Sequence, residues 1–454
     1  MEKNNQNIDH KKNIIYYGTF SIISKIITYV ILLVFANLYL PSDYGEARFY
    51  LSIYYLITAL LFFGLPQSIV PFYHKDRTKM SSIFTSYLVL IIIASLIGIG
   101  LFWNKPALLA LDLSMLFYFL VFFFSGLLQA EHKHGMYQFF FTLMQAFILA
   151  LSFLFVGKSS GGIIYCFALS YIAGGLIISA IYLKRFYSLI DFRIDYPFLL
   201  EYAKYSIVFV VIGYSFMILS WIDSSILGWL GTFDDVAVYN VASQLAFVIT
   251  LIPISISMFL LTRVSSSKDE NISMGVLKRS LRISFFLSMI CAIILASLIG
   301  IITKIFFPVY HGKIELLFMM LLIGLASYCI YYLIYTYYAG KLQPGKVLVP
   351  IVFGTFVNVI LDIMLIPKFG VYGVVFATLL AHLICFTLLL SNAGLLKGFW
   401  IAYILLLFVP LSYYLRYYGL LTLIFAVPLF FVFKLIETED IKIVVDTLKS
   451  FARR

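Results

Sequence analysis

Residues 346–391 read KVLVPIVFGTFVNVILDIMLIPKFGVYGVVFATLLAHLICFTLLLS. Two apolar runs, 346–366 and 371–391, flank the short break Pro367-Lys368-Phe369-Gly370. A hydrocarbon core of about 30 Å is crossed by about 20 helical residues, so each run is long enough to span a bilayer. The stretch therefore predicts a hairpin of two transmembrane helices.

The same pattern extends through the chain. Apolar runs separated by short polar breaks fall at 14–39, 47–70, 80–103, 106–129, 136–156, 161–183, 204–230, 236–261, 281–306 and 315–339, before the hairpin, and at 396–416 and 418–436 after it. That makes fourteen spans. The 454 residues are 63% hydrophobic and 12% charged, against roughly 45–50% and 25% in a soluble domain. The chain is read as an all-α integral membrane protein with almost nothing left over for a soluble domain. Met1–Asn13 shows no cleavable signal pattern, so the first span is expected to stay in the mature protein.

Charge and cysteine usage narrow the function classes. The net charge is +11, but no folded basic domain presents it and no RNP-like segment occurs, which excludes nucleic acid as a partner. The charge reports topology instead. Alternate connections, beginning with the N-terminus and ending with the tail from Lys434, hold 24 of the 32 Lys and Arg residues. The opposite set holds only Arg48, Lys105, Lys158, Lys304, Lys313, Lys368 and Arg416. Basic residues are retained on the cytoplasmic side, so both termini are predicted to be cytoplasmic. Cys166, Cys291, Cys329 and Cys385 all sit in apolar stretches without CxxC spacing, and no metal site or disulfide is expected. There is no GxSxG, P-loop or HExxH. The chain is expected not to be an enzyme and to need no cofactor other than a bound Na⁺.

An internal repeat is suggested by Leu40-Pro41-Ser42-Asp43-Tyr44-Gly45 against 230–237, and by 156–162 against 366–373. The predicted organisation is a cytoplasmic N-terminus (1–13), a six-span lobe (14–183), an amphipathic connection (184–203), a second six-span lobe (204–391), two extra spans (392–436) and a cytoplasmic tail (437–454). The connection mixes Phe186, Leu189, Phe192, Phe198 and Leu199 with Lys184, Arg185 and Arg193, which suits either a helix at the headgroup interface or an ordinary basic loop. Pro66, Pro253 and Pro350 interrupt spans, and Gly64-x-Pro66 and Pro253 stand at comparable places in the two halves.

Ionisable groups at bilayer depth are costly and therefore informative. They are Lys25, Asp112, Asp223, Asp362 and His382. Asn358 and Asp362 stand i,i+4 on one helix face. Asp223, Asp362 and Thr378 each lie about 7–10 Å from the same end of their spans. Two carboxylates, an amide and a hydroxyl suit a hard cation such as Na⁺ or a shared proton, and equally a buried polar network that fastens helices. Lys25 is about 17 Å from either end of its span, farther than its stem can snorkel. With Ser21 and Thr28 it forms a polar stripe that suits a cavity wall receiving an anion, or an ion pair with Asp223. Arg48 and Arg263, near span ends, are further anion-binding candidates, or simple interfacial anchors. The many Phe and Tyr residues cannot be sorted by sequence.

Leu40-Pro41-x-Asp43-Tyr44-Gly45, together with Asn358-x-x-x-Asp362-x-x-x-Ile366-Pro367-x-x-Gly370-x-x-Gly373, resembles bacterial polysaccharide-biosynthesis flippases, carriers of O-antigen and other lipid-linked oligosaccharides. That family belongs to the multidrug/oligosaccharidyl-lipid/polysaccharide exporter superfamily. The resemblance implies two pseudo-symmetric lobes in a V around a central cavity. It implies secondary-active translocation of a polyprenyl-pyrophosphate-linked oligosaccharide across the bacterial cytoplasmic membrane, coupled to Na⁺ or H⁺ in the manner of an antiporter. Asn358, Asp362 and Thr378 resemble in type and spacing the sodium site of lipid II flippases, Asp223 matches by span, and Val374 would add a backbone carbonyl. Lys25, and with it Arg48 and Arg263, would meet the pyrophosphate. Implied partners are the lipid-linked substrate, membrane lipids and the polysaccharide polymerase machinery. The alternatives are a cation-coupled multidrug exporter of the same superfamily and a membrane-embedded polymerase or acyltransferase.

Overall fold

The computed structural model describes residues 2–440 except 63–64, 132, 158, 183–194, 267–268, 342 and 344; side chains at 2–15, 66–68, 71, 258 and 262, and at ten positions of 205–220, are also outside the description. All its regular elements are helical. In chain order they are α1 (Glu2–Leu38), α2 (Pro41–Leu61), α3 (Leu65–Lys75), α4 (Met80–Phe102), α5 (Pro106–Ala130), α6 (His134–Leu154), α7 (Ser160–Ile181), α8 (Tyr196–Leu230), α9 (Phe233–Ala246), α10 (Leu251–Ser266), α11 (Glu270–Phe306), α12 (Glu315–Gly340), α13 (Gly345–Phe369), α14 (Val371–Asn392), α15 (Leu396–Phe399), α16 (Ile401–Leu406), α17 (Phe408–Leu415) and α18 (Thr422–Val432). Eleven helical stretches among the described residues are long and apolar enough to cross a membrane.

The apolar runs map onto this order one by one, and proline accounts for the departures. The second span is two helices, α2 and α3, with Pro66 in the first turn of the latter, where its missing N–H breaks no intrahelical bond. Gly64 lies outside the described residues. In the eighth span a 3₁₀ turn, Phe247–Thr250, separates α9 from α10. Pro253 cannot bond the Ile249 carbonyl, and the Cys329 thiol reaches that carbonyl at 3.7 Å instead. Pro350 likewise frees the Lys346 carbonyl, which accepts from the Asn392 amide at 3.3 Å. These interruptions are thus partly satisfied by neighbouring helices, as buried backbone requires.

The run 396–436 folds back on itself. Arg416 adopts φ 54° at the turn, and the rings of Trp400 and Phe433 meet at 6.0 Å, closing an antiparallel pair. The tail then returns to α11: Asp440, fully buried, accepts a hydrogen bond from Arg279 Nε at 2.9 Å and forms an ion pair with Arg282 at 3.2 Å.

Two compact units result, residues 1–228 with 232–237, and residues 229–231 with 238–454. Packing therefore divides the chain one helix later than the expected connection at 184–203, most of which (183–194) is outside the described residues. α8 joins the first unit because it packs there at both ends. At one end Phe198 and Tyr202 pack on Phe72 at 5.5 and 5.1 Å, and Lys79 pairs with Asp195 at 2.9 Å. At the other, Trp221 lies 4.4 Å from Tyr55, and Ser225 bonds Ser52 at 2.7 Å. In the second unit α12 is the central helix, with Phe318 and Tyr331 almost fully buried.

Candidate functional site

The α13–α14 hairpin holds three of the predicted polar residues. Gly370, at φ 54°, makes the turn. Close approaches fix the antiparallel register: a Cβ at Gly373 would stand 2.7 Å from the Leu365 carbonyl, and one at Gly354 would overlap Cys385. In that register Thr378 comes level with Ile360, between Asn358 and Asp362 in height. Asn358 and Asp362 are fully buried and Thr378 is 4% exposed. The sequence spacing thus sets three buried polar residues at similar height on one helical pair.

The cluster carries the mark of an unfilled bonding capacity. Neither Oδ1 nor Nδ2 of Asn358 has a hydrogen-bond partner. Each buried polar group left this way costs about 1–3 kcal/mol. The Thr378 hydroxyl donates to the Val374 carbonyl at 2.9 Å. The donor set is one carboxylate, one amide and one hydroxyl, and no group of three His, Cys, Asp or Glu side chains converges among the described residues. That chemistry fits a monovalent hard cation better than a divalent metal. Asp223, also fully buried, stands on α8 in the first unit, so the four predicted ligands are divided between the two units.

His382 falls one turn beyond Thr378. Its Nδ1 is bonded to the Tyr331 hydroxyl at 2.7 Å, and the two rings stack at 5.9 Å. It is a packed imidazole in the α12–α14 contact.

The predicted anion-binding residues occupy different settings. Lys25 is exposed on α1, flanked by exposed Ile22, Ile23 and Ile26, and no ion pair to Asp223 or any other described carboxylate occurs. Its neighbour in the polar stripe, Thr28, donates to the Ser24 carbonyl at 2.8 Å. Arg48 of α2 is half-buried with its guanidinium 5.1 Å over the Trp221 ring. Arg263, in the second unit, lies over Phe259 at 5.3 Å.

Arg48 also leads to residues that sequence reading could not select. Tyr55, which packs on Trp221, bonds Tyr171 hydroxyl to hydroxyl at 2.5 Å. Tyr171 in turn stacks on Tyr54 at 6.0 Å and packs at a tilt on Tyr118 at 4.5 Å. One guanidinium, one indole and four phenols from α2, α5, α7 and α8 thus form a continuous aromatic and hydroxyl cluster. The doublet Tyr54-Tyr55 was visible in the sequence, but nothing there paired it with Tyr171.

The Pro41–Gly45 motif has a structural role. Pro41 starts α2. Asp43 and Glu46 accept from the Ser160 backbone N–H at 3.4 Å and its hydroxyl at 2.6 Å, at the first turn of α7. A Cβ at Gly45 would overlap the Phe233 carbonyl, so glycine is what lets α2 cross the start of α9.

Comparison with known proteins gives the following. The sequence profile of the polysaccharide biosynthesis protein family matches residues 10–266. No curated protein matches the chain. Among solved structures, the lipid II flippase MurJ in an inward closed conformation is similar with TM-score 0.75 and 18% identity, covering 92% of this chain and 98% of that one. An inward-facing multidrug resistance MATE family transporter of the MOP superfamily aligns with TM-score 0.64 and 16% identity, over 82% of this chain and 95% of that one. A MOP superfamily transporter from Pyrococcus furiosus aligns with TM-score 0.57 and 13% identity, over 86% and 97%. At these identities the structural likeness establishes the fold.

Proposed function

The chain belongs to the polysaccharide biosynthesis protein family, and from that premise we propose that it is a secondary-active flippase for a polyprenyl-pyrophosphate-linked oligosaccharide, driven by Na⁺ or H⁺. The observation that carries the coupling is the buried Asn358 amide, without partners, one turn from a buried Asp362. The Asp362 carboxylate, the Asn358 amide oxygen and the Thr378 hydroxyl would hold the cation, and its charge would offset the cost of burying the carboxylate. Asp223, buried on α8, would take part in the same cycle. A carrier is reset when a ligand binds one conformation better than the other. The hairpin residues would provide that differential.

Lys25 would receive the pyrophosphate, because an exposed ammonium at bilayer depth without a carboxylate partner is a strong anion attractor. Arg48 would assist it, with Trp221 and Tyr55 offering flat surfaces next to the guanidinium. Arg263 would serve the headgroup at another stage. The Lys and Arg distribution supports cytoplasmic termini in a bacterial cytoplasmic membrane. The substrate would then be taken from the cytoplasmic leaflet and released to polysaccharide polymerase machinery on the other face.

The direct test is translocation of a fluorescent lipid-linked oligosaccharide in proteoliposomes under an imposed Na⁺ or H⁺ gradient. Gradient-dependent flipping that fails with Asp362→Ala is expected. Flipping that ignores both gradients would refute the coupling. Export of small lipophilic cations without glycolipid flipping would favour the multidrug alternative.

A further inference from the structure

Asp112 belongs to neither set of residues considered so far. It stands on α5, about 9 Å along the helix from Pro106. Asp112 is 7% exposed and its Oδ2 has no hydrogen-bond partner. A carboxylate so placed costs several kcal/mol unless a donor or a positive charge reaches it.

The carboxylate lines a groove of about 270 Å³ between α2, α4 and α5. Its other walls are apolar or aromatic, among them Tyr54, Leu111 and Met115. Gly98 of α4 makes the room, since a Cβ there would overlap the Asp112 carboxylate. The rim residues Ile57, Ile97 and Leu101 are 44%, 60% and 72% exposed. They continue into an apolar α4 surface that includes Ile93 and Leu96, so the groove opens onto hydrocarbon chains rather than water.

A second charge stands just before the start of α5. Lys105 is exposed, and its Nζ lies 5.8 Å from the ring centre of Tyr50, a groove residue. Along α5 it is about 10 Å from Asp112. The groove therefore offers apolar walls, a buried acceptor and a cation nearer the mouth. The complementary occupant has acyl chains, a phosphate and an ammonium that still carries N–H donors.

We propose that the α2–α4–α5 groove binds a zwitterionic membrane phospholipid with a primary ammonium, which bonds Asp112 while its phosphate meets Lys105. A quaternary ammonium has no N–H to give Asp112, and an anionic headgroup has no cation to place there. The inference stands on this groove alone and is independent of what the protein transports.

Native mass spectrometry of the delipidated full-length protein, titrated with phosphatidylethanolamine, phosphatidylcholine or phosphatidylglycerol of identical acyl chains, tests it. The wild type is expected to prefer phosphatidylethanolamine over phosphatidylcholine by roughly tenfold, as a charge-assisted hydrogen bond supplies. Asp112→Asn should abolish that preference, Gly98→Ala should weaken retention of phosphatidylethanolamine, and Lys105→Gln should lower affinity for both zwitterions. Equal binding of the three lipids by the wild type overturns the proposal, and this arm needs no variant to fold. A preference that survives in folded Asp112→Asn overturns it as well.

Discussion

Gly45 of α2 faces the backbone carbonyl of Phe233 so closely that a methyl group at position 45 would occupy the oxygen's place. Backbone cannot rotate away as a side chain can. Gly45→Ala is therefore expected to separate α2 from the start of α9 and to lower thermal stability by about 1–3 kcal/mol, the usual range for overpacking. Gly18, whose Cβ would meet nothing within 4 Å, is the control. Equal melting temperatures for wild type and Gly45→Ala would show that the crossing is not a tight constraint.

The α13–α14 cluster predicts opposite effects on stability and coupling. Asn358→Leu removes two buried polar atoms without partners, so the protein should hold or gain stability in Na⁺-free buffer, by about 1–3 kcal/mol at most. It should also lose any increase in melting temperature on replacing choline by Na⁺. Asp362→Asn should lose that increase too. A Na⁺ effect that persists in both variants would exclude the cluster as the cation site.

Lys25 is tested by charge. Lys25→Gln should weaken capture of a pyrophosphate-linked lipid by at least about tenfold, and Lys25→Arg should restore most of it, because the role assigned is electrostatic rather than geometric. Binding of the dephosphorylated lipid alcohol should be the same in all three proteins. Unchanged affinity for the pyrophosphate form in Lys25→Gln would remove this residue from the headgroup site.

The end of α8 nearest Asp195 should loosen in acid. The Phe198 backbone N–H, at 3.0 Å, and the Lys79 ammonium, at 2.9 Å, hold the Asp195 carboxyl below the usual carboxylate range. A depressed pKa stabilises the fold above the ordinary value of about 3.9, and that contribution is lost as pH falls through the depressed one. Hydrogen exchange at the first turns of α8 should therefore rise at the acidic end of the stability range. Asp195→Asn should show the raised exchange at neutral pH and no further acid dependence.

Much of the architecture was legible because a bilayer imposes it. The break Pro367–Gly370 marks the α13–α14 turn, and the run ends predict Pro106, Glu315 and Val371 as helix starts, since apolar length is set by membrane thickness and backbone bonding is local. Asn358 and Asp362 were also legible, because i,i+4 spacing fixes a shared face. The split of the second span into α2 and α3 was announced only as a proline. Where each freed carbonyl would go, Ile249 to the Cys329 thiol and Lys346 to the Asn392 amide, was not.

The sequence by itself determined that this is a membrane protein of fourteen apolar segments, and which of its few deep polar residues share a helix. Those properties depend on local periodicity and on the cost of placing charge in hydrocarbon. Only the tertiary structure decided that Tyr55 meets both Tyr171 and Trp221, that α8 packs with the first unit, and that Asp112 looks across Gly98 into an apolar groove. Contacts between helices far apart in the chain depend on side-chain shape and on small residues that permit close approach. Neither leaves a period in the sequence that could be read in advance.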